Sequence, residues 1–78
     1  MTATTAFIKY THGDEVLHRT SGGAARTIQD WHREDAAAWM AVAVADGIAP
    51  RGPYALTMYV IDFDLNAEVV LDRAAMVA

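Results

Sequence analysis

The sequence predicts an α+β domain: an antiparallel sheet of three to four strands with one main helix packed on one face. Three features carry this. The run Ala36–Ala45 (AAAWMAVAVA) holds no polar side chain and lies between Glu34-Asp35 and Asp46-Gly47, which reads as one helix over residues 33–46. Residues 4–11 (TTAFIKYT) are rich in β-branched and aromatic residues and run into turn chemistry at His12-Gly13-Asp14. Residues 54–63 (YALTMYVIDF) form the clearest strand, and both of its faces are apolar. Leu56, Met58 and Val60 line one, and Thr57, Tyr59, Ile61 and Phe63 the other, so a single helix covers only half of it.

Taken in order, residues 4–11 and 15–20 pair as a hairpin across His12-Gly13-Asp14, with Ala6, Ile8 and Tyr10 on the core side and Phe7 and Lys9 on the other. Ser21-Gly22-Gly23 ends the second strand. Residues 24–30 admit two structures: a third strand, with the helix starting near His32, or an early helix start through a capping box at Thr27-Ile28-Gln29-Asp30. The strand is preferred, because acids at 34 and 35 suit a first turn, where the helix dipole favours negative charge. Asp46-Gly47 stops the helix, with Gly47 in the left-handed C′ conformation. On that helix Val42, Trp39, Met40 and Val44 spread over an arc of roughly 200°, about twice the stripe one core contact requires. A second apolar contact is therefore expected. After a Pro/Gly loop at 48–53 and the strand at 54–63, residues 65–78 fit a helix with Val69, Val70, Ala74, Met76 and Val77 on one side, or a strand (EVVLDR) in a hairpin across 64–67. The helix is preferred.

A 78-residue chain is expected to be one domain, residues 1–78, and at this size folding removes only about 60% of the unfolded chain's surface from water. It has no cysteine, so neither a disulfide nor a thiolate metal site can reinforce the core, and an intracellular, cytoplasmic setting is expected. Residues 1–5 lack a basic and apolar leader pattern, and no apolar run approaches the roughly 18 residues of a membrane span. Charge is asymmetric. Residues 1–33 hold four cations and three acids, a net of +1; residues 34–78 hold seven acids and two arginines, a net of −5; together these give −4. An acidic surface repels phosphate backbones and attracts basic ones, which argues against direct nucleic-acid binding.

Chemistry is sparse. Asp62-Phe63-Asp64-Leu65-Asn66 places oxygens at alternate positions as a calcium loop does, but the positions needing Gly and Glu hold Ala67 and Arg73. His12, His18 and His32 form no H-x-H or H-x-x-x-H pair, and His18 and His32 are expected at the surface. Ser21 is the only serine, and an anion nest at Ser21-Gly22-Gly23 with Arg26 is a three-residue match with little specificity. No catalytic residue, metal ligand or cofactor is expected. Among the aromatics Trp39 is assigned to the core, and Trp31 and Tyr59 to partly exposed positions where they can serve an interface.

The hairpin FIKYTHGDEV, the helix EDAAAWMAVAVADG and the strand end YVIDFD resemble, in general character, the small phage-encoded inhibitors of the anti-CRISPR type. That resemblance implies a compact α+β domain that binds a nucleic-acid-handling complex, with carboxylates standing where phosphates would lie. The expected function is thus an acidic protein-binding module facing a basic protein surface or nucleoprotein complex, with Asp62, Asp64, Glu68, Asp72, Tyr59 and Trp31 as its contact residues. The alternative is a homodimeric structural or accessory subunit that buries its surplus apolar sheet face against its own copy.

Overall fold

In the computed structural model, which describes residues 4–78, the chain runs as strand β1 (Ala6–His12), strand β2 (Glu15–Gly23), helix α1 (Asp30–Ala45), strand β3 (Pro53–Asp62) and strand β4 (Ala67–Val77). The strands form one sheet in the order β2-β1-β3-β4, and every pairing is antiparallel. The architecture is α+β, with α1 on one face of four strands.

Strand alternation decides what lies under the helix. Ala6, Ile8 and Tyr10 of β1 are buried, as their phase predicts, and the register sets Ile8 opposite Met58 and Tyr10 opposite Leu56 on β3. The helix answers with His32, Ala36, Met40 and Ala43. Its core stripe is therefore built from small residues and one flexible Met, which let the backbone approach the sheet, while Val42 stays exposed. Trp39 packs half-buried at the margin of the core, stacked on His18 (ring centroids 5.0 Å, interplanar 20°) and edge-on to Tyr10 at 5.5 Å. At the far end Tyr54 donates its hydroxyl proton to Pro50 O (2.7 Å), and burial raises its pKa, as it does for Tyr10.

The start of α1 corrects the expected strand at 24–30 and the expected helix start at 33. Gly23 has φ +69°, a left-handed turn that takes the chain out of the sheet after β2. Gln29 then caps the helix, its backbone N–H donating to His32 Nδ1 at 2.8 Å. With Nδ1 accepting, the proton sits on Nε2, which lies 3.0 Å from Gly22 O and donates to it. The imidazole thus clips the first helical turn to β2. It is 2% exposed, so His32 is a buried polar residue and not the surface group expected. His18 likewise is half-buried under Trp39. The other end matches expectation: Gly47 has φ +71°, and Gly47 N–H to Val44 O (3.1 Å) with Ile48 N–H to Ala43 O (2.8 Å) make a Schellman cap.

The second correction concerns the tail, which is β4 and not a helix. Its apolar residues satisfy a helical period, but β3 has an open edge whose backbone groups need partners, and adjacent Val69 and Val70 suit a strand. Asn66 at φ 51° closes the connecting turn, and Asp62 Oδ1 accepts N–H bonds from Asp64 (3.0 Å) and Leu65 (3.1 Å) within it. β2 also runs further than expected, through Ser21-Gly22-Gly23. A Cβ at Gly22 would lie 3.3 Å from Ile8 Cγ1, so glycine there permits the close approach to β1 and does not break the strand. No helix among the described residues is long and apolar enough to cross a membrane.

The His32 clip makes a sharp stability prediction. His32→Ala leaves the Gln29 N–H and Gly22 O without partners and should cost about 3 kcal/mol, whereas Trp31→Ala, at a position 47% exposed, should cost no more than about 1 kcal/mol. Urea titrations of the two variants against the wild type measure the difference. Equal midpoints for His32→Ala and the wild type would show that the clip does not hold the helix.

Candidate functional site

Among the described residues, the face of the sheet turned away from α1 has no second layer. The register gathers on it Arg19 and Ser21 of β2, Phe7 and Lys9 of β1, Thr57, Tyr59 and Ile61 of β3, and Glu68, Val70 and Arg73 of β4. Opposite pairs include Phe7 with Tyr59, Lys9 with Arg19 and Tyr59 with Val70.

Tyr59 is the centre of this face. It is only 4% exposed although no element among the described residues packs above it, which corrects its expected partial exposure. Its neighbours on the same face explain the burial. Glu68 on β4 bridges two cations from the other side of β3, with Oε1 2.7 Å from Lys9 Nζ and Oε2 3.0 Å from Arg19 Nη1. Arg19 Nη1 also donates to the Tyr59 hydroxyl at 2.6 Å, and both Lys9 and Arg19 lie 5.5 Å from the ring centroid. One residue from each strand therefore joins a single polar network over an aromatic ring. The Lys9 hydrogen bond, aided by Arg19, holds the Glu68 carboxyl below the usual glutamate range, and the bonds to Tyr59 and Glu68 raise the Arg19 pKa. Two cations against one carboxylate leave a local charge of +1.

Beside the network lies a depression of about 410 Å³ lined by Phe7, Arg19, Thr20, Ser21, Tyr59 and Ile61. A smaller apolar groove of about 200 Å³ continues from Phe7 and Ile61 to Phe63. Phe63 (85% exposed) and Leu65 (72%) project from the β3–β4 turn, which the Asp62 carboxylate fixes from within. No family model, curated protein or solved structure matches the chain.

The six contact residues expected from sequence do not form one surface. Tyr59 and Glu68 meet on the uncovered face, while Asp62 and Asp64 sit at the β3–β4 turn, with Asp62 engaged by backbone N–H groups. Asp72 lies on the helix side: its Oδ2 accepts the Ile28 N–H (2.8 Å) and its Oδ1 the Arg73 N–H (2.9 Å), contacts that lower its pKa, the Ile28 bond most. Trp31 is exposed at the start of α1. Arg26 is turned to the carbonyls of Thr4, Ala24 and Ala25, and Ser21 Oγ accepts the Gly23 N–H, so the two do not combine as an anion nest. Among the described residues no group of three His, Asp or Glu side chains is placed to hold a metal ion. Sequence reasoning missed Phe7, Lys9 and Arg19. Their signal was present in the hairpin, where they take the alternate positions to Ile8, Tyr10 and His18.

A depressed carboxylate pKa adds stability above its unfolded value and loses it as pH falls through the folded one. Glu68→Gln should therefore be less stable than the wild type at pH 7, with the gap beginning to close as pH falls through about 4.3, the unfolded value, and lost only once pH is below the depressed folded one, where both side chains are neutral. Melting curves of the pair from pH 7 to pH 3 test this. A gap that does not change with pH would mean that Glu68 acts through packing and not through its charge.

Proposed function

We propose that the chain is a non-catalytic protein-binding module, working in the cytoplasm, whose contact surface is the uncovered sheet face together with the Phe63–Leu65 tip. The observation that carries this is a sheet face with no covering layer among the described residues: Phe7, Val16, Val70 and Val77 are exposed on it around the polar network, and Phe63 and Leu65 stand at its end in a turn already fixed by Asp62. Exposed apolar clusters of this kind on a small chain mark interaction sites. A turn whose backbone is already fixed loses little main-chain freedom on binding, which favours the aromatic it presents as an energetic anchor.

The partner class we propose is a basic protein surface or nucleoprotein complex, in keeping with the phage-inhibitor resemblance. Of the exposed acids, Asp64 stands beside that surface at the tip, whereas Glu34, Asp35 and Asp46 belong to α1 and its C-cap on the opposite face and act on such a partner only at long range, through the net charge of −4. Asp62, Glu68 and Asp72 are held by internal hydrogen bonds, so phosphate mimicry by the full acidic set has less support than contact through the apolar surface. The homodimeric alternative uses the same face, favoured by its unbroken row of apolar residues across Phe7, Tyr59 and Val70.

Light scattering during size-exclusion chromatography over a hundredfold range of protein concentration separates the two. A dimer that dissociates in Phe7→Asp or Val70→Asp supports self-association; a monomer directs the face to another protein. With a basic partner in hand, Phe63→Ala should leave the melting temperature within a few degrees, because the side chain is solvent-exposed, and should weaken binding by tenfold or more. Unchanged affinity would remove the tip from the interface.

A further inference from the structure

We propose that the depression beside Arg19 is a binding site for a small organic carboxylate with an apolar body, an aryl or branched alkyl carboxylate. This goes beyond protein binding and does not rest on it. The volume of about 410 Å³ falls within the range of small-ligand sites. Its walls have the required mixture: the rings of Phe7 and Tyr59, 5.8 Å apart and tilted by 30°, and Ile61 supply apolar surface, while Arg19, Thr20 and Ser21 supply polar groups and no acid lines it.

Arg19 gives the site its charge preference. Its Nη1 is engaged by the Tyr59 hydroxyl and Glu68 Oε2, and among the described residues its Nε and Nη2 make no hydrogen bond. Those two N–H groups share one edge of the guanidinium, the parallel pair that receives a carboxylate through two hydrogen bonds. Because Tyr59 and Glu68 already hold the group, little rotamer freedom remains to be lost on binding. Lys9 balances Glu68 from its other oxygen, so the surrounding charge stays positive. Ser21 Oγ accepts the Gly23 N–H at 3.2 Å, leaving its own proton free to donate. A planar, singly charged anion matches one guanidinium edge beside the aromatic surface of Phe7 and Tyr59; a phosphate dianion requires more cations than the site offers.

The test is a titration of isotopically labelled full-length protein with 3-phenylpropionate and, in parallel, with 3-phenylpropionamide and inorganic phosphate, read from backbone amide shifts. The expected result is saturable movement at Phe7, Arg19 to Ser21 and Tyr59 to Ile61, with the acid binding at least tenfold more tightly than the amide or phosphate. Arg19→Gln should lose at least tenfold in affinity. Ile61→Trp, which fills the depression and keeps Arg19, should lose binding as well, and it decides the matter if Arg19→Gln does not fold. Equal affinity for acid and amide, phosphate binding as tight as the acid, shifts centred on the helix, or undiminished binding in Ile61→Trp would each overturn the assignment.

Discussion

A single helix can cover only one face of a four-stranded sheet, and the rest of this molecule follows from that shortage of cover. The sheet cannot expose its second face as a plain apolar layer without becoming an aggregation surface. Here the centre of that face is closed by long polar side chains: Glu68 extends from one edge strand toward Lys9 and Arg19 on the other half of the sheet, and the charged ends of the two cations lie 5.5 Å from the centre of the Tyr59 ring. The network acts as a thin polar layer in place of a second helix. It leaves Phe7, Val16 and Val70 exposed at its margins, where the proposed interaction surface lies.

The covered face shows the same economy. A core whose helix contributes Ala36, Met40 and Ala43 offers little apolar area, and the fold adds directional bonds at the points where elements meet. His32 joins the helix start to β2, and Asp72 joins the preceding segment to β4 through the Ile28 N–H. The two contacts anchor residues 24–32 to both edge strands. Satisfied buried polar groups of this kind fix one arrangement of elements where packing alone would leave the helix freer to shift.

How far the sequence revealed these features depends on how local their causes are. The phase of β1, the Schellman stop at Gly47 and the two-sided character of β3 are properties of a few adjacent residues, and periodicity and turn chemistry disclose them. The identity of β4 is not local. Val69, Val70, Ala74 and Met76 fit either period, and what selects the strand is the open edge of β3, which enters only once the sheet exists. His32 is similar. At position N3 it stands in for the Glu or Gln of a capping box, but its burial depends on Gly22 O ten residues away. The candidate site was legible in part: Tyr59 and Glu68 were among the contact residues expected from sequence, while Arg19 needed the hairpin register to be placed on the same face.

Counting charges along a chain also says little about what a surface offers. Seven acids in residues 34–78 suggest a continuous negative face, yet three are drawn into internal tasks by their nearest donors. Asp62 takes two N–H groups of its own turn, Asp72 takes the N–H of Ile28, and Glu68 takes two cations contributed by the first half of the chain. A carboxylate engaged in this way keeps its charge but loses the freedom to reorganise around a partner, and its field is partly cancelled by the donor it holds. The positive surplus at Arg19 arises by the same rule: two cations reach one carboxylate, and the guanidinium with a free edge is left beside an aromatic wall. The chain's overall sign and the sign of the depression beside Arg19 are thus opposite, and it is the residues lining that depression, not the net charge, that set the charge preference of the proposed site.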